Sequence, residues 1–94
     1  MERTRISKMA KAGSIESNDI LIMISPNEDG IDLDLESVVE KQFGHDIRQV
    51  ILKTLEDEGV INAKVLAKDK GALDFTIRAR VKTCIKRGSE DYDL

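Results

Sequence analysis

A chain of 94 residues has room for one hydrophobic core but not for a two-domain catalytic cleft. Hydrophobic residues at 40% and charged residues at 35% mark a globular protein, while 3% aromatics and no tryptophan imply an aliphatic core with few surfaces for stacking bases. A net charge of -3 argues against nucleic acid as a partner, and one cysteine excludes an internal disulfide or a cysteine-rich zinc site.

That cysteine usage fits a reducing compartment. No apolar run reaches the length of a membrane span, and the start lacks the apolar core of a secretory signal. The expectation is a cytoplasmic protein with no membrane partner.

Residues 1–11 carry Arg3, Arg5, Lys8 and Lys11 around the apolar Ile6 and Met9, and read as a mobile basic arm. The small polar segment Ala12-Gly13-Ser14-Ile15-Glu16-Ser17-Asn18-Asp19 follows and reads as a surface loop at the mouth of a strand. Ile20 to Ile24 is that strand. Ser25-Pro26-Asn27-Glu28-Asp29-Gly30 is a cluster of turn formers. Ile31-Asp32-Leu33-Asp34-Leu35-Glu36 then alternates apolar and acidic residues, the pattern of a half-buried strand. The two strands are expected to pair as a hairpin.

Ser37 and Glu40 have the spacing of a capping box, so a helix is predicted from Ser37 to about Glu58. Val39, Phe43, Ile47, Val50, Ile51 and Leu55 recur at helical steps, and Gly59 suits a left-handed cap. Gly44 within the helix implies either a close backbone approach or a kink. Ile61, Ala63, Val65 and Ala67 form a third strand by alternation. Asp69-Lys70-Gly71 suits a hairpin loop, which would fold 73–81 back as a fourth strand, Ala67 facing Leu73 and Val65 facing Phe75. Leu73, Ile77, Val81, Cys84 and Ile85 also fit a helix over 73–87, the rival reading; the strand to about Val81 is favoured, and 82–87 is left open. Residues 88–94 read as an acidic, disordered tail.

The fold expected is α+β: a two-layer ββαββ domain, an antiparallel sheet of two hairpins covered by one long helix, with a helical 73–87 as the alternative.

His45 reads as a solvated helix residue, because its neighbour Asp46 points elsewhere on a helix. Cys84 reads as a small buried hydrophobe. Asp32, Asp34 and Glu36 lack the loop and spacing of a calcium site. Arg78, Arg80, Lys82, Lys86 and Arg87 concentrate positive charge in a patch that could dock an acidic partner.

Gly13 to Asp19, Val39-Glu40-Lys41-Gln42-Phe43-Gly44, Asp69-Lys70-Gly71-Ala72-Leu73-Asp74 and Arg78-Ala79-Arg80, in this order and spacing, closely resemble the acyl carrier protein (gamma subunit) family of citrate lyase. The resemblance covers about Ala12 to Arg87. It implies a single acyl-carrier domain over 1–94, with Ser17 joined through a phosphodiester to 2'-(5''-phosphoribosyl)-3'-dephospho-CoA, and Ser14 as the nearby decoy. The implied role is non-catalytic: the arm holds acetyl and citryl thioesters while citrate is cleaved to acetate and oxaloacetate. The implied partners are the alpha (acyl transferase) and beta (citryl lyase) subunits and the enzyme that attaches the arm.

Asn18 departs from the family pattern, where a glycine or serine is expected, yet asparagine tolerates turn conformations. Glu16-Ser17-Asn18 at a strand start also differs from the Asp-Ser-Leu signature at a helix start in ordinary acyl carriers. A malonate decarboxylase-type carrier is the related alternative. A non-enzymatic binding module using the basic patch is the alternative of a different class.

Overall fold

The computed structural model describes residues 3–89. Its elements in chain order are β1 (Ala10–Gly13), β2 (Ile20–Ser25), β3 (Ile31–Ser37), α1 (Glu40–Asp57), β4 (Ala63–Asp69) and α2 (Asp74–Gly88). The strands form a four-stranded sheet in the order β1-β2-β4-β3. The pairs β1/β2 and β2/β4 are antiparallel, and β3/β4 is parallel.

Side-chain alternation sends Ile20, Ile22 and Ile24 of β2, and Ala63, Val65 and Ala67 of β4, to one buried face. Both helices cover that face. Ile47, Ile51 and Leu55 come from α1, and Ile77, Val81, Cys84 and Ile85 from α2, into one continuous core cluster. The α+β class and the two layers are therefore as expected, and four parts of the arrangement within them are not.

The first difference is the partner of β3. The predicted β2–β3 hairpin does not form, because β4 lies between the two strands. An uninterrupted apolar run such as Ile20 to Ile24 suits an interior strand, and an acidic alternation suits an edge. The start of β3 is pinned to β4 as well: Gly30 N–H donates to Asn62 Oδ1 (2.7 Å), and Ala63 N–H donates to Gly30 O (3.1 Å). In the parallel register Asp32 stands beside Lys64 and Glu36 beside Lys68, so unlike charges share the open face.

The second difference is α2: the expected second hairpin does not form, and the helical alternative is adopted. A strand would have placed Phe75, Ile77 and Ala79 on one face. Ile77 is fully buried while Phe75 and Ala79 are exposed, as positions four apart on the far side of a helix must be. Gly71 has the positive φ expected of it (94°), but it turns the chain into a helix rather than a strand.

The third difference lies at the termini. Residues 3–11 are packed rather than a free arm. Ile6 is 4% exposed, Thr4 N–H donates to Gly59 O (2.9 Å), and Ser7 N–H donates to Gly88 O (2.8 Å). The segment runs so close to α2 that a Cβ on Gly88 would lie 3.1 Å from Lys8 O. Gly88 itself ends α2, and the buried Ser89 bridges to Ile6, so neither belongs to a tail. The rest of the expected tail, 90–94, and residues 1–2 of the expected arm lie outside the described residues.

Helix α1 also begins later than the capping box implied. Ser37 is the last residue of β3; its Oγ accepts from Val39 N–H (3.1 Å) and donates to Asp69 Oδ2 (2.8 Å). Gly44 is buried in α1, and Gly59 follows it with the left-handed φ expected (77°).

Candidate functional site

The polar segment singled out in the sequence connects β1 to β2. Gly13 opens it at φ 88°, and a Cβ there would run into the carbonyl oxygen of Ile20, so this entry to the loop requires glycine. Asp19 closes it. Its Oδ2 accepts from Ser14 Oγ (2.7 Å) and from Arg80 Nη2 (3.1 Å), and its Oδ1 accepts from Arg80 Nε (3.0 Å) and from Ile20 N–H (2.7 Å). The two-pronged Arg80 guanidinium and the other donors hold the Asp19 carboxyl well below the usual range, at about 2.

The loop backbone is tied to the turn after β4. Asn18 N–H donates to Lys70 O (2.9 Å), and Lys70 N–H returns a bond to Asp19 O (2.9 Å). Asn18 makes this possible by adopting φ 68°, a left-handed conformation that asparagine accepts more readily than most residues. The departure at position 18 is thus conformationally compatible with the loop.

The turn that receives the loop has its own organiser. Asp69 is buried, and its carboxylate accepts from Gly71 N–H (3.1 Å), Ala72 N–H (3.0 Å) and the Ser37 hydroxyl (2.8 Å). This signal was readable, since an aspartate just before Lys-Gly commonly caps the turn that follows. The Asp19–Arg80 pair was not. Its members are 61 residues apart, and the sequence pattern placed Arg80 in a basic patch with Arg78, Lys82, Lys86 and Arg87.

The two serines differ sharply in this frame. Ser14 is half-buried, donates to Asp19 and accepts from Glu16 N–H (3.3 Å). Ser17 is exposed, and its hydroxyl makes no hydrogen bond to the described residues. Glu16 and Asn18 on either side of it are also exposed. The loop therefore presents one unengaged primary hydroxyl on a backbone whose ends are held.

A hollow of about 390 Å³ opens beside it, lined by Ile15, Glu36, Ser37, Val38, Lys68, Asp69 and Lys70. A larger one, about 790 Å³, lies at the other end of β2 among Arg3, Arg5, Pro26 and Asn62, away from the serine loop.

The remaining candidates stay apart from this site. Cys84 is fully buried, with Sγ 3.4 Å from Ala10 O, and burial pushes its thiol up to about 11. His45 is exposed on α1, and Asp32, Asp34 and Glu36 are exposed on β3. The basic patch is divided. Arg80 is committed to Asp19 and Arg87 Nη1 donates to Lys11 O (2.8 Å), while Arg78, Lys82 and Lys86 remain exposed at four-residue steps along α2.

Comparison with known proteins finds relatives of this chain. The family described as malonate decarboxylase delta subunit (MdcD) matches residues 7–88. A citrate lyase acyl carrier protein of Streptococcus uberis is 55% identical over 90 residues, covering 94% of this chain and 89% of that one. Another, of Vibrio cholerae, is 51% identical, covering 96% and 93%, and one of Halothermothrix orenii is 45% identical, covering 90% of each. Among solved structures, a chain of a Pseudomonas malonate decarboxylase hetero-tetramer in complex with malonate superposes with a TM-score of 0.76 at 14% identity, covering 90% of this chain and 87% of that one, a likeness of fold.

Proposed function

The chain belongs to the family of citrate lyase acyl carrier proteins, and on that premise we propose that it is the acyl carrier subunit of a citrate lyase complex, loaded on Ser17. Membership implies a covalently attached prosthetic group. The reading adopted is 2'-(5''-phosphoribosyl)-3'-dephospho-CoA, joined through a phosphodiester to the Ser17 Oγ. The observation that carries the choice of residue is the contrast between the two serines: Ser14 is engaged twice by hydrogen bonds, and Ser17 is exposed and unengaged.

The residues present fit such a group. A phosphodiester needs a hydroxyl that an attaching enzyme can reach, and Ser17 stands free on a loop whose neighbours are held by Asp19, Arg80 and Lys70. When attached, the arm supplies the mobile thiol that carries acyl groups. The polypeptide offers no accessible thiol of its own among the described residues, because Cys84 is buried. The chain's part is to hold the attachment point, making encounters with the acyl transferase and citryl lyase subunits effectively intramolecular. It is a carrier, not the catalyst of either step. Among the described residues no helix is long and apolar enough to cross a membrane; the location proposed is the cytoplasm, in one acyl-carrier domain.

A malonate decarboxylase-type carrier is the second reading, favoured by the family description and the Pseudomonas likeness. Identities of 45% and 55% to citrate lyase carriers, against 14% to the malonate decarboxylase chain, weigh for the first.

Intact mass and peptide mapping of protein purified from citrate-fermenting cells test the proposal. The coenzyme A-derived mass is expected on Ser17, and is expected to vanish, with citrate cleavage, in Ser17→Ala. Ser14→Ala is expected to keep it. An arm on Ser14, or a loaded Ser17→Ala protein, overturns the residue assignment; an unmodified wild-type chain overturns the carrier reading.

A further inference from the structure

The hollow beside the serine loop shares Ser37 and Val38 with a second one bordered by Val39, Lys41 and Gln42, so the two adjoin as a groove between the loop and the start of α1. Ile15 and Val38, two large aliphatic side chains, are 61% and 64% exposed, and both line it. Lys41, Lys68 and Lys70 line it as well, and none forms an ion pair with the described residues.

Of the two carboxylates present, Asp69 is buried and spends its oxygens on Gly71, Ala72 and Ser37, which leaves Glu36 as the exposed acid. The accessible charge of the groove is therefore positive. A ligand matched to it has an apolar segment and clustered negative charge, such as phosphate groups.

Resting on the carrier reading above, we propose that this groove is the seat in which the arm borne by Ser17 lies when no partner subunit holds it. Lys41, Lys68 and Lys70 meet its phosphate charge, and Ile15 and Val38 cover its apolar portion. Proximity favours this occupant over any free ligand. Ile15 is two residues from Ser17, so a tethered arm meets the groove at high local concentration without a second binding event. The attraction is weak by design of the surface: exposed lysines in water hold a phosphate loosely and release it as ionic strength rises.

The test uses the full chain with and without its arm, loading on Ser17 being verified by peptide map. Amide resonances of Val38 and Lys68, remote in sequence from the attachment, are expected to differ between the loaded and unloaded proteins and to converge as salt is raised. In a loaded Lys68→Gln/Lys70→Gln variant the differences are expected to disappear, and the arm's terminal thiol to alkylate about two- to fivefold faster than in the loaded wild type. A loaded Val38→Ser variant is expected to shrink the Lys68 difference and to speed thiol alkylation in the same way, and unchanged values would remove Val38 from the seat. Identical Val38 and Lys68 resonances in loaded and unloaded protein, with the arm on Ser17, overturn the seat and leave the carrier reading intact. An arm mapped to another residue overturns both.

Discussion

Asp19 joins three distant parts of the chain: the serine loop through Ser14, the start of β2 through Ile20, and α2 through Arg80. A carboxyl held near 2 in the folded protein, against 3.8 for the free group, adds stability that is complete above the higher value and is lost as pH falls through the lower one. Arg80 is 42% exposed, so solvent screening limits the pair to about 1 kcal/mol. Urea unfolding followed from pH 5 to pH 2 is expected to show that loss, and Asp19→Asn to flatten the acid limb of the profile. Gly13→Ala is a sharper perturbation at the other end of the loop. The strained φ and the clash with Ile20 O predict a loss of about 2 kcal/mol or more in the same measurement. The exposure of Ser17 was legible because polar loop residues at strand mouths face solvent. The partner of Asp19 was not, because an ion pair spanning 61 residues leaves no local trace.

At the scale of elements, α2 decides the difference between the expected and observed folds. Leu73 to Ile85 satisfies both a two-residue and a four-residue period over its first half. Only Val81, Cys84 and Ile85, all buried together, break the tie in favour of a helix. The ambiguity was intrinsic to the short apolar pattern and is settled by packing against β1, β2 and α1. Cys84 sits at the centre of that packing. Cys84→Ser is expected to cost about 1–2 kcal/mol, since a more polar group then takes the place of a small apolar one in the core, beside the Ala10 and Ile22 carbonyls. Acyl loading of the complete complex is expected to be unchanged, because the working thiol is proposed to be the arm's. Loss of loading in a folded variant would show Cys84 to be more than a core residue.

For the molecule as a whole, each strand except the short β1 was legible from its own residues, whereas which strand lies beside which depended on partners far along the chain. The β3–β4 pairing runs through α1, and the docking of Ile6 against Ser89 closes the chain almost end to end. The two-way bond between the serine loop and the Lys70 turn has a bearing on proteolysis as well. Exposed loop tips are ordinarily where chains are nicked, and a protease must draw several residues into extended form before it can cut. Here Asn18 and Asp19 cannot be drawn out without breaking both bonds to Lys70 and the Arg80 clamp. A glutamate-specific protease is therefore expected to leave the bond after Glu16 intact in native protein and to gain access there in Asp19→Asn.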